Sequence, residues 1–341
     1  SNEIFVLAAK AMALVICRVR GGMPLQTALE PFPGPLWWEA VATPDGTPVS
    51  SPRTSHTSFD ELVKWDQFCI FKFATAAPPG GLFAELFHTI DMGLDFVEPL
   101  ALDREAIASM LADAQLGYED PQAGLAENKY HNALHGADVL VSAISMLSVL
   151  PRSVIASFGG DLLRSNPLTD GFPGGAAAAC IAPLPLFALV FGSLLHDFRH
   201  RGVANRCLIA MQDPLAIVYS DDAVLERLHA AEAFTLARRT GALRTLRGSD
   251  YTDFRSLAIR LMLATDLANG MKTIVQVKSL FPSAFGVETA PLAALAGSKS
   301  DKTDRLTPTV SLVVECADLA HPARPLLQHQ LWTVLITEEF Y

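Results

Sequence analysis

Two short stretches constrain this chain more than anything else in it. They are Tyr130-His131-Asn132-Ala133-Leu134-His135-Gly136-Ala137-Asp138-Val139 and His196-Asp197-Phe198-Arg199-His200-Arg201-Gly202-Val203-Ala204-Asn205. Each sets two histidines four residues apart. On a helix that interval stacks both imidazoles on one face. The second stretch adds a carboxylate directly after its first histidine. Imidazole and carboxylate converging in this way are the donors of a hydrolytic metal site.

The surrounding pattern is helical. Segments 59–74 and 82–96 are amphipathic, and Asp103 is a natural N-cap for a helix over 104–115. Helices are expected over 131–150, with both histidines near its start, and over 184–198, carrying His196 and Asp197. A further helix over 222–240 has apolar residues at Val224, Leu225, Leu228 and Ala231, and Gly241 is its stop. Helices over 251–270, 310–318 and 325–341 complete the set. Residues 158–175 read as a loop, and the polar segment 298–307 as a mobile insert. No stretch alternates with period two over more than a few residues, so strands should be few. The fold expected is all-α, a compact bundle-like arrangement around a buried binuclear metal site.

Residues 1–58 form a separate N-terminal part. An apolar helical run, Ile4 to Cys17, and the pair Trp37-Trp38 precede a Pro/Ser/Thr-rich linker over 40–58. The run lacks a basic lead and a small-residue cleavage site. It is read as a docking helix rather than a signal peptide or membrane contact. The chain opens Ser1-Asn2, which reads as a fragment with a tag scar. Residues 171–195 carry no charge and would pass a hydropathy filter for a membrane span. Pro183 and Pro185 interrupt them, however, and they lead into His196-Asp197, so a buried core helix is the better reading.

Half of the 341 residues are apolar and 18% are charged, enough for a substantial core. The net charge of −10 argues against a nucleic-acid polymer as partner. An acidic protein that handles an anionic phosphate needs local positive charge, which bound divalent metals supply. The five cysteines are scattered, which predicts reduced, buried thiols and a cytoplasmic protein.

Five blocks in order resemble the catalytic domain of the class I 3′,5′-cyclic nucleotide phosphodiesterases, within the HD-type metallohydrolases. Two are the histidine stretches. The others are Tyr219-Ser220-Asp221-Asp222-Ala223-Val224-Leu225-Glu226, Leu263-Ala264-Thr265-Asp266, and Cys316-Ala317-Asp318-Leu319-Ala320-His321-Pro322. Trp332-Thr333 and Glu338-Glu339-Phe340-Tyr341 continue the pattern, so the resemblance covers 59–341. It implies hydrolysis of cAMP or cGMP to the 5′-monophosphate by a two-metal mechanism, ending a cyclic nucleotide signal. The implied ligands of the tighter ion, zinc, are His135, His196, Asp197 and Asp318. Asp197 would bridge to a second ion, magnesium or manganese, otherwise held by water. His131 matches the general acid. His200, Glu226, Thr265 and Asp266 match residues that hydrogen-bond the metal waters or orient ligands. Tyr130, Asn205 and His321 match pocket positions.

A lone histidine in an apolar helix is usually a satisfied core or surface residue. That reading fails where four histidines fall in matched motifs. It stands for His56, His88 and His329, which have no motif, and His229 is balanced between the two. Several positions depart from the family pattern: Gly136 replaces an alanine, Arg201 a proline, and Arg227-Leu228 the middle of Glu-Asn-His-His. The family's purine-binding glutamine and phenylalanine lie beyond the Glu-Glu-Phe segment, so the C-terminal helices that carry them are expected to be missing from this chain. Two alternatives stay open: another HD-type nucleotide phosphohydrolase, and a catalytically weak nucleotide-binding module.

Overall fold

The computed structural model describes residues 57–65, 67–118, 128–148, 150, 181–280 and 299–340, without the side chains of 299–304. The apolar run Ile4 to Cys17, most of the linker over 40–58 and the expected loop over 158–175 lie outside the described residues.

The described residues form helices and no strand. In chain order these are α1 (Phe59–Leu62), α2 (Ile70–Ala76), α3 (Leu82–Leu94), α4 (Arg104–Gly117), α5 (Ala133–Ser148), α6 (Pro183–Leu195), α7 (Asn205–Ala210), α8 (Pro214–Tyr219), α9 (Val224–Thr240), α10 (Ser249–Leu263), α11 (Gly270–Leu280), α12 (Lys299–Asp318) and α13 (Leu326–Phe340), with a 3-10 turn at His321–Ala323. None of them is long and apolar enough to cross a membrane.

Local chemistry sets most of these ends. Ser58 and Glu61 form a reciprocal capping box on α1. Asp103 accepts from the Ala106 amide at the start of α4, as its sequence position predicts. Gly241 closes α9 in the left-handed conformation at φ 75°. Asp91 near the end of α3 accepts from the amides of Phe96 and Val97 at 3.0 and 2.9 Å, satisfying the chain as it leaves the helix.

Helices α5, α6, α10 and α12 pack in a ring: α5 on α6, α6 on α10, α10 on α12 and α12 on α5. In α5 every residue from His135 to Leu147 is buried, and in α6 every residue from Pro185 to Leu195. The described part of the uncharged run, Pro183–Leu195, is therefore a core helix. A buried ion pair ties the ring to the N-terminal helices. Arg324 donates to Asp138 at 2.7 Å and to Ser142 at 2.8 Å, and its guanidinium lies 3.9 Å over the Trp65 ring. Arg324 also donates to the Trp65 carbonyl at 3.2 Å.

Several expectations are corrected. Segment 59–74 is two helices, α1 and α2, separated by a bend. The expected helix over 251–270 ends at Leu263, and α11 begins at Gly270. The segment 298–307, expected as a mobile insert, is from Lys299 the first half of α12. Its polarity hid the helix, because apolar anchoring begins only at Leu306 and Val310, one turn apart and both buried. Three cysteines lie in the described residues and all are free, but Cys207 is exposed and Cys69 and Cys316 are only partly buried.

Candidate metal centre

The two histidine pairs do not stack along helices as their spacing predicts. Asn132 breaks the first pair. Its side-chain oxygen accepts from the amides of Leu134 and His135 at 3.0 and 3.2 Å, so it caps α5 and leaves His131 in the turn before the helix. The second pair is broken after α6 ends at Leu195. Arg199 takes φ 64°, and His200 follows on a turn closed by its amide bonding the Asp197 carbonyl at 3.0 Å. Each pair thus splits its imidazoles between two places. Asn128 ties the outer histidine of each pair to the other, donating to the His200 carbonyl at 2.8 Å and the His131 carbonyl at 3.3 Å.

At the first place His135, His196, Asp197 and Asp318 converge, with one donor atom from each within 4.8 Å of all the others. His135 Nε2 is 3.0 Å from Asp318 Oδ1 and 3.4 Å from Asp197 Oδ2. His196 Nε2 is 3.1 Å from Asp197 Oδ2 and 3.3 Å from Asp318 Oδ1. The His196 Nδ1–H donates to the Ser193 carbonyl at 2.9 Å, which turns the lone pair of Nε2 toward the carboxylates. Burial works against charge on all four. The carboxylates nevertheless raise the histidines, His196 well above its ordinary value, and the histidines hold Asp197 and Asp318 well below theirs. Two enclosed carboxylates need a compensating cation, and without a metal ion imidazole protons would supply it. A divalent ion would displace those protons onto water. The mixed nitrogen and oxygen donor set fits such an ion.

At the second place His131 and His200 stack with ring centroids 3.8 Å apart. His131 Nδ1 bonds Glu339 Oε1, while Glu339 Oε2 accepts from the amides of Tyr130 and His131 at 2.7 and 2.9 Å. Burial pushes the Glu339 carboxyl up, but its bonds from His131 and the two amides outweigh that and leave it low. His200 Nδ1 accepts from the Gly202 amide at 3.0 Å. Burial and the neighbouring His131 hold His200 well below the usual histidine range.

The remaining expected residues sit around these clusters. Tyr130 is buried against His135, ring centroids 4.5 Å apart, and against Trp332 at 5.5 Å. Asn205 donates to Glu226 at 2.9 Å and caps α9 through the Leu225 amide at 2.8 Å. Burial raises Glu226 to about 6 despite its bond from Asn205, with Asp266 and Asp197 adding to the rise. Thr265 donates to the Met262 carbonyl, and Asp266 accepts from Ala268 and Asn269. Both therefore bond within their own turn. His321 faces His329, with their Nδ1 atoms 3.1 Å apart. His329 is thus half-buried against His321 and not a plain surface residue. His88 is exposed, as expected.

Two sequence departures have local explanations. A Cβ at Gly136 would meet the Leu194 carbonyl oxygen at 2.8 Å and the Tyr118 hydroxyl at 3.0 Å, so α5 and α6 approach only because this residue is glycine. Arg227 pairs with Asp222, and Leu228 is buried. Glu339 and Asn128 are the residues that sequence reasoning missed. Glu339 lay in a matched block without a role, and Asn128 lay two residues before one.

An all-α fold carrying an H…HD…D donor set defines the class. Residues 130–341 match the family model described as 3′5′-cyclic nucleotide phosphodiesterase, and the chain belongs to that family. It is 29% identical over 259 residues to the probable 3′,5′-cyclic phosphodiesterase pde-1 of Caenorhabditis elegans, covering 75% of this chain and 31% of that protein. It is 32% identical over 285 residues to 3′,5′-cyclic-AMP phosphodiesterase 4C of Rattus norvegicus, covering 83% of this chain and 46% of that protein. The chain therefore spans less than half the length of these curated relatives. Among solved structures, the phosphodiesterase domain of the RhoPDE fusion protein from the choanoflagellate Salpingoeca rosetta shares the fold. The TM-score is 0.60 at 21% identity, over 82% of this chain and 73% of that one.

Proposed function

We propose that this chain hydrolyses 3′,5′-cyclic nucleotides, cAMP alone or together with cGMP, to 5′-monophosphates, and that it ends a cyclic nucleotide signal in the cytoplasm. One observation carries the reading. Four metal-capable donors converge within 4.8 Å, and a histidine held by a buried carboxylate stands beside them, its ring centroid 5.8 Å from that of His135. Relatives named as cAMP phosphodiesterases support the choice of substrate.

His135, His196, Asp197 and Asp318 would hold the tighter ion, for which their donor set suits zinc, and Asp197 would reach a second, magnesium or manganese. Bound there, the two ions would polarise the phosphate and lower the pKa of water. The residues supply the rest. Glu339 holds His131 by Nδ1, which leaves Nε2 to deliver a proton to O3′ as the P–O3′ bond breaks and the bond from water oxygen to phosphorus forms. His200, with Nδ1 occupied by the Gly202 amide, offers Nε2–H as a donor to water at the centre. Glu226, raised toward neutrality, can take or hold a proton there. Thr265 and Asp266 shape the adjoining turn, while Tyr130, Asn205 and His321 form the wall.

Turnover of cAMP and cGMP with Mg²⁺ or Mn²⁺, compared with Asp318→Ala, tests the reading. Wild-type turnover that vanishes in the variant supports it. Ion binding without turnover of either nucleotide refutes it and favours a binding module.

A further inference from the structure

Asn128 is buried, 7% exposed, shortly before α5. Its side-chain nitrogen donates to the His200 carbonyl at 2.8 Å and to the His131 carbonyl at 3.3 Å. Both carbonyls can only accept, so the nitrogen and not the oxygen of the amide must face them. The amide thereby spends both of its hydrogens on the main chain of two histidines. Its oxygen lies toward Gly202, where a Cβ would meet it at 2.7 Å. Gly202 also takes φ 68°, so the clamp closes against a residue that only glycine suits.

The main-chain carbonyl of Asn128 is held in turn. Asn132 donates to it at 3.2 Å and to the Lys129 carbonyl at 2.9 Å, while the Asn132 oxygen caps α5. Two asparagines in series therefore run from the start of α5, which carries His135, to the turn three residues beyond Asp197. His131 lies between them, outside the helix, so the α5 ladder does not fix its main chain. Glu339 pins the His131 ring from α13, but α13 carries none of the four converging donors. Asn128 instead refers His131 to the chain that carries Asp197. The His131 and His200 rings it brings together are stacked, with 16° between their planes.

We infer that Asn128 is a positioning residue for proton delivery. Its two-pronged amide sets where His131 stands relative to the converging donors, and so the aim of its proton at the leaving oxygen. This rests on the hydrolytic reading above. A role in packing alone needs only the shape of the side chain, whereas the positioning role needs its pair of hydrogens. A shift of about 1 Å at a reacting group can cost about 10² in rate.

The test compares wild type, Asn128→Asp and Asn128→Ala on cAMP and on bis(p-nitrophenyl) phosphate, whose leaving group needs no proton, with Mn²⁺ present. Asn128→Asp keeps the shape but not the pair of hydrogens. Both variants should lower kcat on cAMP at least about tenfold, move KM less than about twofold and lose less than about threefold on the activated ester. Circular dichroism and bound metal content control for folding and for the donors. A smaller fall on cAMP in Asn128→Asp means that shape suffices and overturns the inference. Equal losses on the two substrates mark general damage and also overturn it. In both cases wild-type turnover of cAMP leaves the hydrolytic reading standing. A wild-type chain that cleaves no cyclic nucleotide refutes that reading and this inference with it. Gly202→Ala, whose Cβ presses on the Asn128 oxygen, should reproduce the split between substrates and decides the matter should the Asn128 variants fail to fold.

Discussion

Glu339→Gln is the sharpest perturbation of the chemistry. In the wild type one carboxylate makes three bonds: Oε2 accepts from the amides of Tyr130 and His131, and Oε1 bonds His131 Nδ1. A glutamine can keep its carbonyl oxygen on the amide pair. Its NH₂ must then face Nδ1, which becomes an acceptor, so the ring cannot keep that bond and carry hydrogens on both nitrogens. General acid catalysis contributes about 10²–10⁴ in rate. Losing the Nδ1–H bond to a carboxylate while keeping the ring in place should therefore lower kcat on cAMP by about 10²–10³, or about 2.7–4 kcal/mol. KM should change little, since Glu339 reaches the substrate only through His131. The assay compares cAMP with bis(p-nitrophenyl) phosphate, whose leaving group needs no proton. On the activated ester the loss should shrink below about tenfold. Circular dichroism and zinc content control for folding. Equal losses on the two substrates, or wild-type turnover of cAMP, would refute the role given to this pair.

Three further outcomes follow from packing and charge. Gly136→Ala should lower unfolding stability by about 1–3 kcal/mol in urea, because its Cβ meets the Leu194 carbonyl and the Tyr118 hydroxyl, and that outweighs a helix-propensity gain of about 1 kcal/mol. Asp138→Ala strands the fully buried Arg324 guanidinium and should cost about 3–5 kcal/mol, whereas Ser142→Ala should cost about 1 kcal/mol; equal effects would count against the ion pair. Glu315 is raised to about 7 by burial and then by Asp318, above its unfolded value, so the folded state holds an extra proton between about pH 4.5 and 7. Metal-free protein should therefore lose up to about 3 kcal/mol as pH rises through that window, and Glu315→Gln should flatten the slope; an unchanged slope would contradict the assignment.

The donor set was legible from the chain alone because it is carried by residue identity. His135, His196, Asp197 and Asp318 fall in ordered blocks, and the structure brings them together. The path by which they meet was not legible. Two histidines at a four-residue interval predict one helical face, but Asn132 starts α5 between the first two, α6 stops at Leu195 before the left-handed Arg199 turns the chain between the second two, and capping geometry depends on side-chain bonds that spacing does not record. Glu339 was missed for a related reason: its partner lies far away in sequence, and no local period marks a residue that acts across the fold. Helix α12 was missed over its first half because that half is polar and its apolar anchors come late. The tautomer of His229 is set by the Phe198 carbonyl, a main-chain group that no residue pattern displays.

The most direct test of the central claim is hydrolysis of cAMP in oxygen-labelled water by the zinc- and manganese-loaded protein. The account predicts 5′-AMP with the label on its phosphate, and no turnover by Asp318→Ala. Metal-loaded protein that binds cAMP and leaves it intact, or product labelled at the sugar or formed as the 3′-monophosphate, would contradict it.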